Sequence, residues 1–346
     1  MASGVISIET QRQSMAQGEA EGLKLLGPCP SHLSEAWIDI LLPGGRTNRT
    51  RVVWPKPAEG DRRTCSLIVY FHGGGFAVCS PDLVLAPARG FSSLFSSVVA
   101  CPSLNQFPEQ PFPAPTQIAW ETCAWLSDVN NLNKGLLKGT GAEIDLKRGF
   151  VVGGLSAGGT AAAVIAGIAG AASAEVRDFT GISPLHGQIT GVFTGIPMLV
   201  TDAMLPARYK DDLRSIEEQA EEEPQVVALL RDLEQRLGDA VHTPWFSPIN
   251  LDLSNPKTTQ DHPRKVFIYA GALDALRDEA IIYKKWLSEL PGVEARIRVL
   301  EGQKHTAWTS LPGPDNHNPK MKEMTLDGMA WLLGLEWDKS QLDTLI

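Results

Sequence analysis

The chain is short of several things that would mark it for nucleic acid, for a membrane or for the secretory route. It has no excess of positive charge: 31 Lys and Arg stand against 40 Asp and Glu, a net charge of −9. That balance argues against nucleic acid and against anionic membrane surfaces as partners. It has no long hydrophobic run. The longest candidate, Ala161–Ala174, is Ala/Gly-rich and falls short of the ~20 apolar residues that a bilayer demands. Met1–Gly18 is polar, without the apolar stretch of a signal peptide. Cysteines number only five (Cys29, Cys65, Cys79, Cys101, Cys123), an odd set without metal-ligand spacing. The expectation is a cytoplasmic protein with reduced, mostly buried thiols. Internal repeats and low-complexity segments are also missing.

What remains is an ordinary globular composition, 43% hydrophobic and 21% charged over 346 residues, enough for a large core. Apolar runs alternate with amphipathic stretches. Ala36–Leu42 and Arg51–Trp54 flank the turn Pro43-Gly44-Gly45 as a hairpin. Ser66–Phe71, Ser97–Cys101, Phe150–Gly153, Phe179–Leu185, Lys265–Ala270 and Arg296–Leu300 read as buried strands. Helical patterns follow several of them, including Thr116–Val129 and the closing Met321–Leu335. This alternation predicts an α/β fold with a mostly parallel central sheet flanked by helices.

The sharpest signal is Gly154-Leu155-Ser156-Ala157-Gly158, set between the strand from Phe150 and a small-residue helix from Ala161 to about Ala172. Strand, sharp turn and helix in that order are the context of a nucleophile elbow. Small residues at 154 and 158 let strand and helix pass closely, and the helix N-terminus favours a developing anion. A second signal is His72-Gly73-Gly74-Gly75-Phe76, directly after the strand Ser66–Phe71. Three glycines there present bare backbone N–H groups, as an oxyanion hole requires; the plainer reading is a flexible loop. His72 is expected to buttress this loop, next to Gly73.

A serine nucleophile needs a base, and the base needs an acid to hold its tautomer. His305, just beyond the strand Arg296–Leu300, is the best base among the seven histidines. Asp274 follows a buried strand through a Gly-x-x-Asp turn and is the best acid. Asp278 and Glu279, one helical turn later, read as charge suited to a helix N-terminus. The order Ser, Asp, His suits an α/β-hydrolase. No metal-ligand cluster or phosphate-binding loop stands out, so the expected chemistry needs no cofactor.

The stretch from His186 to about Val241 breaks the strand–helix rhythm. It holds spaced apolar residues, the acidic run Glu217–Glu223, read as a solvated face, and a helix after Pro224 with Val227, Leu230, Leu233 and Leu237 on one side. It is read as a lid over the sheet's carboxyl edge. The expected organisation is an arm at 1–35 forming part of a cap, a catalytic domain at 36–185 and 242–346, and an inserted cap at 186–241.

Together these motifs resemble the hormone-sensitive-lipase-like carboxylesterases of the α/β-hydrolases. The resemblance rests on His72–Phe76, Pro108–Ala114, Gly154–Gly159, Ser247–Asn250, Gly271–Glu279 and Gly302–His305, covering about Ser66 to Trp308. It implies a Ser156–His305–Asp274 triad, with oxyanion donors on Gly74, Gly75 and Ala157, and a cap built from the N-terminal arm and the insertion. Two departures stand out. Leu155 precedes the nucleophile, and the family's usual Tyr-Arg-Leu-Ala-Pro-Glu is here Leu104-Asn105-Gln106-Phe107-Pro108-Glu109, without its arginine.

The function that follows is cleavage of a carboxylic ester, a lactone or acetylated small molecule included, through an acyl-enzyme. The rivals are a lyase, dehydratase or cyclase on the same scaffold and, less favoured because His305 is present, a small-molecule receptor. The oligomeric state is open, a homodimer being one option.

Overall fold

The computed structural model describes residues 7–104, 107, 109–171, 179–222, 224–305, 310–312 and 318–344. The expected loop's Asn105, Gln106 and Pro108, the helix end at Ala172, Glu223 and His317 lie outside these residues.

The strands are β1 (Leu33–Leu41), β2 (Thr47–Pro55), β3 (Arg63–Phe71), β4 (Ser97–Pro102), β5 (Ala142–Ile144), β6 (Phe150–Leu155), β7 (Gly191–Gly195), β8 (Lys265–Gly271) and β9 (Glu294–Leu300). The helices are α1 (Ile8–Leu26), α2 (Leu85–Phe95), α3 (Ala114–Ser127), α4 (Val129–Asn133), α5 (Ala157–Ala171), α6 (Ser215–Glu218), α7 (Pro224–Leu237), α8 (Arg277–Leu287) and α9 (Pro319–Leu333). The sheet runs β1-β2-β4-β3-β6-β7-β8-β9, with β5 beside β3. β2 pairs antiparallel with β1 and β4, and every later pairing is parallel.

The middle strands are unbroken apolar runs because both of their faces are covered. In β3, Leu67, Val69 and Phe71 enter one core, with α3, α5 and α8; Ile68 and Tyr70 enter the other, with α2 and α9. β6 is buried at all six positions. β9, at the sheet's edge, alternates between exposed and half-buried.

The sequence reading misplaces one strand. Phe179–Leu185 is not extended into the sheet; the strand beside β6 is β7, inside the stretch assigned to the inserted lid. Pro184 lacks the N–H a central ladder needs, and Gly181 takes a left-handed φ of 79°. Val192 and Phe193, flanked by Gly191 and Gly195, are the residues that fit between β6 and β8. A Cβ on Gly195 would stand 2.3 Å from the Tyr269 ring, so only glycine admits that tyrosine. The segment outside the sheet therefore starts after Gly195, not at His186. The three-residue β5 was not anticipated.

The N-terminal arm forms α1. Ser7 caps it by accepting from the Thr10 N–H, and Gly27 ends it at a φ of 74°. Glu19 anchors it by accepting from the N–H and hydroxyl of Ser80 at 2.8 and 2.7 Å. Gly22 meets Leu311 so closely that a Cβ would stand 2.8 Å from the leucine Cβ. Among the described residues no helix is long and apolar enough to cross a membrane.

Candidate active site

Ser156 stands between β6 and α5 with a φ of 53°. A serine in this left-handed region is strained, and its surroundings must hold it there. Its N–H donates to the Gly195 carbonyl at 2.8 Å, and its carbonyl accepts from the Thr160 N–H at 2.9 Å. The flanking glycines are sterically required. A Cβ on Gly158 would lie 2.3 Å from the Phe71 carbonyl oxygen, and one on Gly154 would lie 2.5 Å from the backbone of Gly158.

β8 and β9 deliver the other two groups. Beyond β8, the N–H of Ala272 donates to Leu300 and that of Leu273 to Gln303, tying the two loops together. Asp274 is fully buried and also accepts from the Leu276 N–H at 2.8 Å. Both of its carboxylate oxygens lie 3.1 Å from His305 Nδ1, and His305 Nε2 lies 3.1 Å from Ser156 Oγ. A carboxylate facing Nδ1 keeps the proton there and leaves the Nε2 lone pair aimed at the hydroxyl. The three residues picked from the sequence thus meet, although Ser156 and His305 are 149 positions apart.

The glycine loop curls over the same point. Gly74 has a φ of 102°, and a Cβ there would fall 2.2 Å from the Val78 carbonyl oxygen. Gly75 has a φ of 59° and open space on its side-chain face. Ala157 opens α5, where first-turn N–H groups lack intrahelical acceptors. Gly74, Gly75, Ser156, Ala157 and His305 all border one cavity.

His72 lies beneath this loop, fully buried. Its Nδ1 donates to the Gly73 carbonyl at 2.6 Å, and its Nε2 accepts from the Leu104 N–H at 2.9 Å. Burial pushes it down to about 4, so it stays neutral and serves as a fixed strut. All five cysteines are free thiols, and burial pushes the Cys79 thiol beside the loop upward, away from thiolate chemistry.

Asp278 and Glu279 do more than complement the dipole of α8. Asp278 Oδ2 accepts from the N–H groups of Arg214 and Ser215, each at 2.8 Å. Glu279 accepts from Val200 at 2.7 Å and from Leu199, and its burial raises its carboxyl well above the usual range. Both carboxyl groups fasten the segment after β7 onto α8.

The cavity encloses about 220 Å³. It is also bordered by Met198, Phe246, the Val226, Leu230, Leu233 and Leu237 face of α7, and Ile8 and Gln11 of α1. Thr160 holds Met198 in place, donating to its carbonyl at 2.8 Å and accepting from its N–H at 3.0 Å. Sequence reasoning overlooked Arg12, which reaches from α1 to the carbonyls of Ala77 and Phe107, two residues that border the cavity. The one hint was the missing arginine in Leu104–Glu109. Among the described residues no three His, Cys, Asp or Glu side chains could hold a metal ion together.

The profile of the alpha/beta hydrolase fold family matches residues 68–309, which includes every residue named in the triad and the glycine loop. The chain is an α/β-hydrolase of the hormone-sensitive-lipase-like carboxylesterase family. An AB hydrolase superfamily protein of Schizosaccharomyces pombe is 30% identical over 88% of this chain and 82% of that protein. Esterase LipI of Mycobacterium tuberculosis is 28% identical over 82% of this chain and 76% of its own length. Among solved structures, vibralactone cyclase superposes with a TM-score of 0.74 at 22% identity, covering 96% of this chain and 91% of that one. A Pyrobaculum calidifontis esterase gives 0.65 at 22% identity over 99% and 94%. The α/β-hydrolase is thus an enzyme of esterase type, and its fold is the one expected.

Proposed function

We propose that this α/β-hydrolase cleaves a small-molecule carboxylic ester through an acyl-enzyme on Ser156. The observation that carries the reading is the unbroken Asp274–His305–Ser156 relay, opening into a cavity bordered by Gly74 and Gly75. Ser156 Oγ attacks the ester carbonyl carbon while His305 Nε2 takes its proton. The tetrahedral oxygen, now negative, is met by the N–H groups of Gly74, Gly75 and Ala157; one such donor is typically worth about 10²–10³ in rate. Collapse expels the alcohol, protonated by His305, and leaves the acyl group on Ser156. Water, deprotonated by the same imidazole, then releases the acid.

We read α1 and the segment from 196 to 241 as the cap of the pocket. The apolar face of α7 suits an acyl chain or a compact ring. We place the enzyme in the cytoplasm, a setting that suits free cysteines of which four are buried. Parent enzyme and Ser156→Ala should be compared on short p-nitrophenyl esters; equal turnover would remove the mechanism.

A second reading, ring closure, draws on the similarity to vibralactone cyclase and on the apolar walls, which disfavour water. There the acyl group would pass to a hydroxyl of the substrate itself. Product analysis with a hydroxy ester separates the two: free acid supports hydrolysis, and lactone supports cyclisation.

A further inference from the structure

We propose that Arg12 is a positioning residue of this active site, through which the cap helix α1 sets the glycine loop. The inference rests on the ester-cleaving reading above. A backbone bond from the Phe107 N–H to the Phe76 carbonyl, at 2.9 Å, joins the glycine loop to the Phe107 loop. Arg12 spans both sides of that joint. Its Nε donates to the Ala77 carbonyl at 2.8 Å and its Nη2 to the Phe107 carbonyl at 2.7 Å. Two of its three remaining hydrogens grip Glu109, Nη1 at 2.6 Å and Nη2 at 2.9 Å, so the carboxylate fixes the guanidinium plane.

The glycine loop needs such support. Gly74 and Phe76 both have left-handed φ, 102° and 60°, and for phenylalanine that backbone is strained. The Gly74 carbonyl accepts from the N–H groups of Ala77 and Val78 at 3.0 and 2.9 Å, so fixing Ala77 fixes Gly74. The second cap helix touches the Phe107 loop as well. Arg236 of α7, paired with Asp232 at 2.6 Å, lies 5.4 Å from the centre of the Phe107 ring. Ile8 and Gln11, next to Arg12 on α1, border the cavity. Seating α1 over a substrate and aligning the Gly74 and Gly75 N–H groups are therefore one event. Lysine cannot replace arginine here, because a point charge does not address two carbonyls and a carboxylate in one plane.

The test compares parent, Arg12→Ala, Arg12→Lys and Ser156→Ala on p-nitrophenyl acetate, with fluorophosphonate labelling rates and thermal midpoints. The parent should be labelled and Ser156→Ala should not. Arg12→Ala should lose roughly 10- to 100-fold in kcat, with KM moving less than about threefold. Its labelling should slow in parallel. Because Arg12 is partly exposed, its thermal midpoint should stay near the parent's. Free guanidinium ion, well below denaturing concentration, should restore part of the lost rate. Arg12→Lys should fall between parent and alanine, and it decides the matter if the alanine variant does not fold. A kcat within about twofold of the parent, or a loss residing wholly in KM, overturns the proposal while leaving the nucleophile reading intact. A parent that is active but never labelled would instead remove that reading, and the inference with it.

Discussion

His305 Nε2 and Ser156 Oγ lie 3.1 Å apart, brought together by loops at the carboxyl ends of β9 and β6. The distance is within reach for proton transfer before any substrate arrives. What makes the imidazole a base is the carboxylate behind it, and that dependence can be tested separately.

Asp274→Asn should retain the Leu276 N–H bond through its amide oxygen, and with it the local fold. Its NH₂, however, would face His305 Nδ1 and favour the tautomer with the proton on Nε2. The expected loss in kcat is about 10⁴. Steady-state kinetics together with an unchanged thermal midpoint would establish it. Activity within about tenfold of the parent would mean that Asp274 does not hold the tautomer.

The buried histidines predict a pH dependence of stability. Burial lowers His72 and His262 from 6.5 to about 4 in the folded chain. Between those values the unfolded chain binds a proton at each site and the folded chain does not. The contribution of these two histidines to stability should therefore fall as pH drops from 6.5 towards 4, by up to about 1.4 kcal/mol per pH unit for each, and level off below. The raised carboxyl of Glu279 works in the opposite sense, and the difference between parent and a histidine variant isolates the histidine part. His262→Phe keeps a ring beside Trp286 and removes one titration. Its chemical-denaturation stability should fall less steeply over the same window; an identical slope would contradict the assignment.

Most of this architecture was legible beforehand. Phe150–Gly153 and Ser66–Phe71 are continuous apolar runs, and only a doubly covered parallel sheet buries such runs well. Gly154 and Gly158 were readable because steric exclusion at an elbow leaves no other residue type. β7 was not readable in the same way: at five residues with glycine at both ends it carries little pattern, and neighbouring strands determine its place. Asp278 and Glu279 sat where helix N-termini favour acids, so local chemistry explained them fully and hid their grip on residues 199–215. Arg12 had no local signature at all, since its partners lie 65 to 97 positions away.

The α7 wall predicts how acyl length is read. Lengthening the acyl chain of a p-nitrophenyl ester should raise kcat/KM by about fourfold per CH₂, the value of ~0.8 kcal/mol for each buried methylene. The gain should stop when the cavity is filled. Leu230 borders the cavity, so Leu230→Phe should move that limit to shorter chains and Leu230→Ala to longer ones. A chain-length series on the three proteins checks this, and three coincident profiles would place the acyl group elsewhere.

Rapid-quench mass spectrometry of the enzyme with a p-nitrophenyl ester tests the central claim most directly. A burst of nitrophenol should accompany a mass increase equal to the acyl group, located on the peptide containing Ser156 and absent from Ser156→Ala. Full turnover with no acyl group on that serine, or undiminished turnover by Ser156→Ala, would contradict the account.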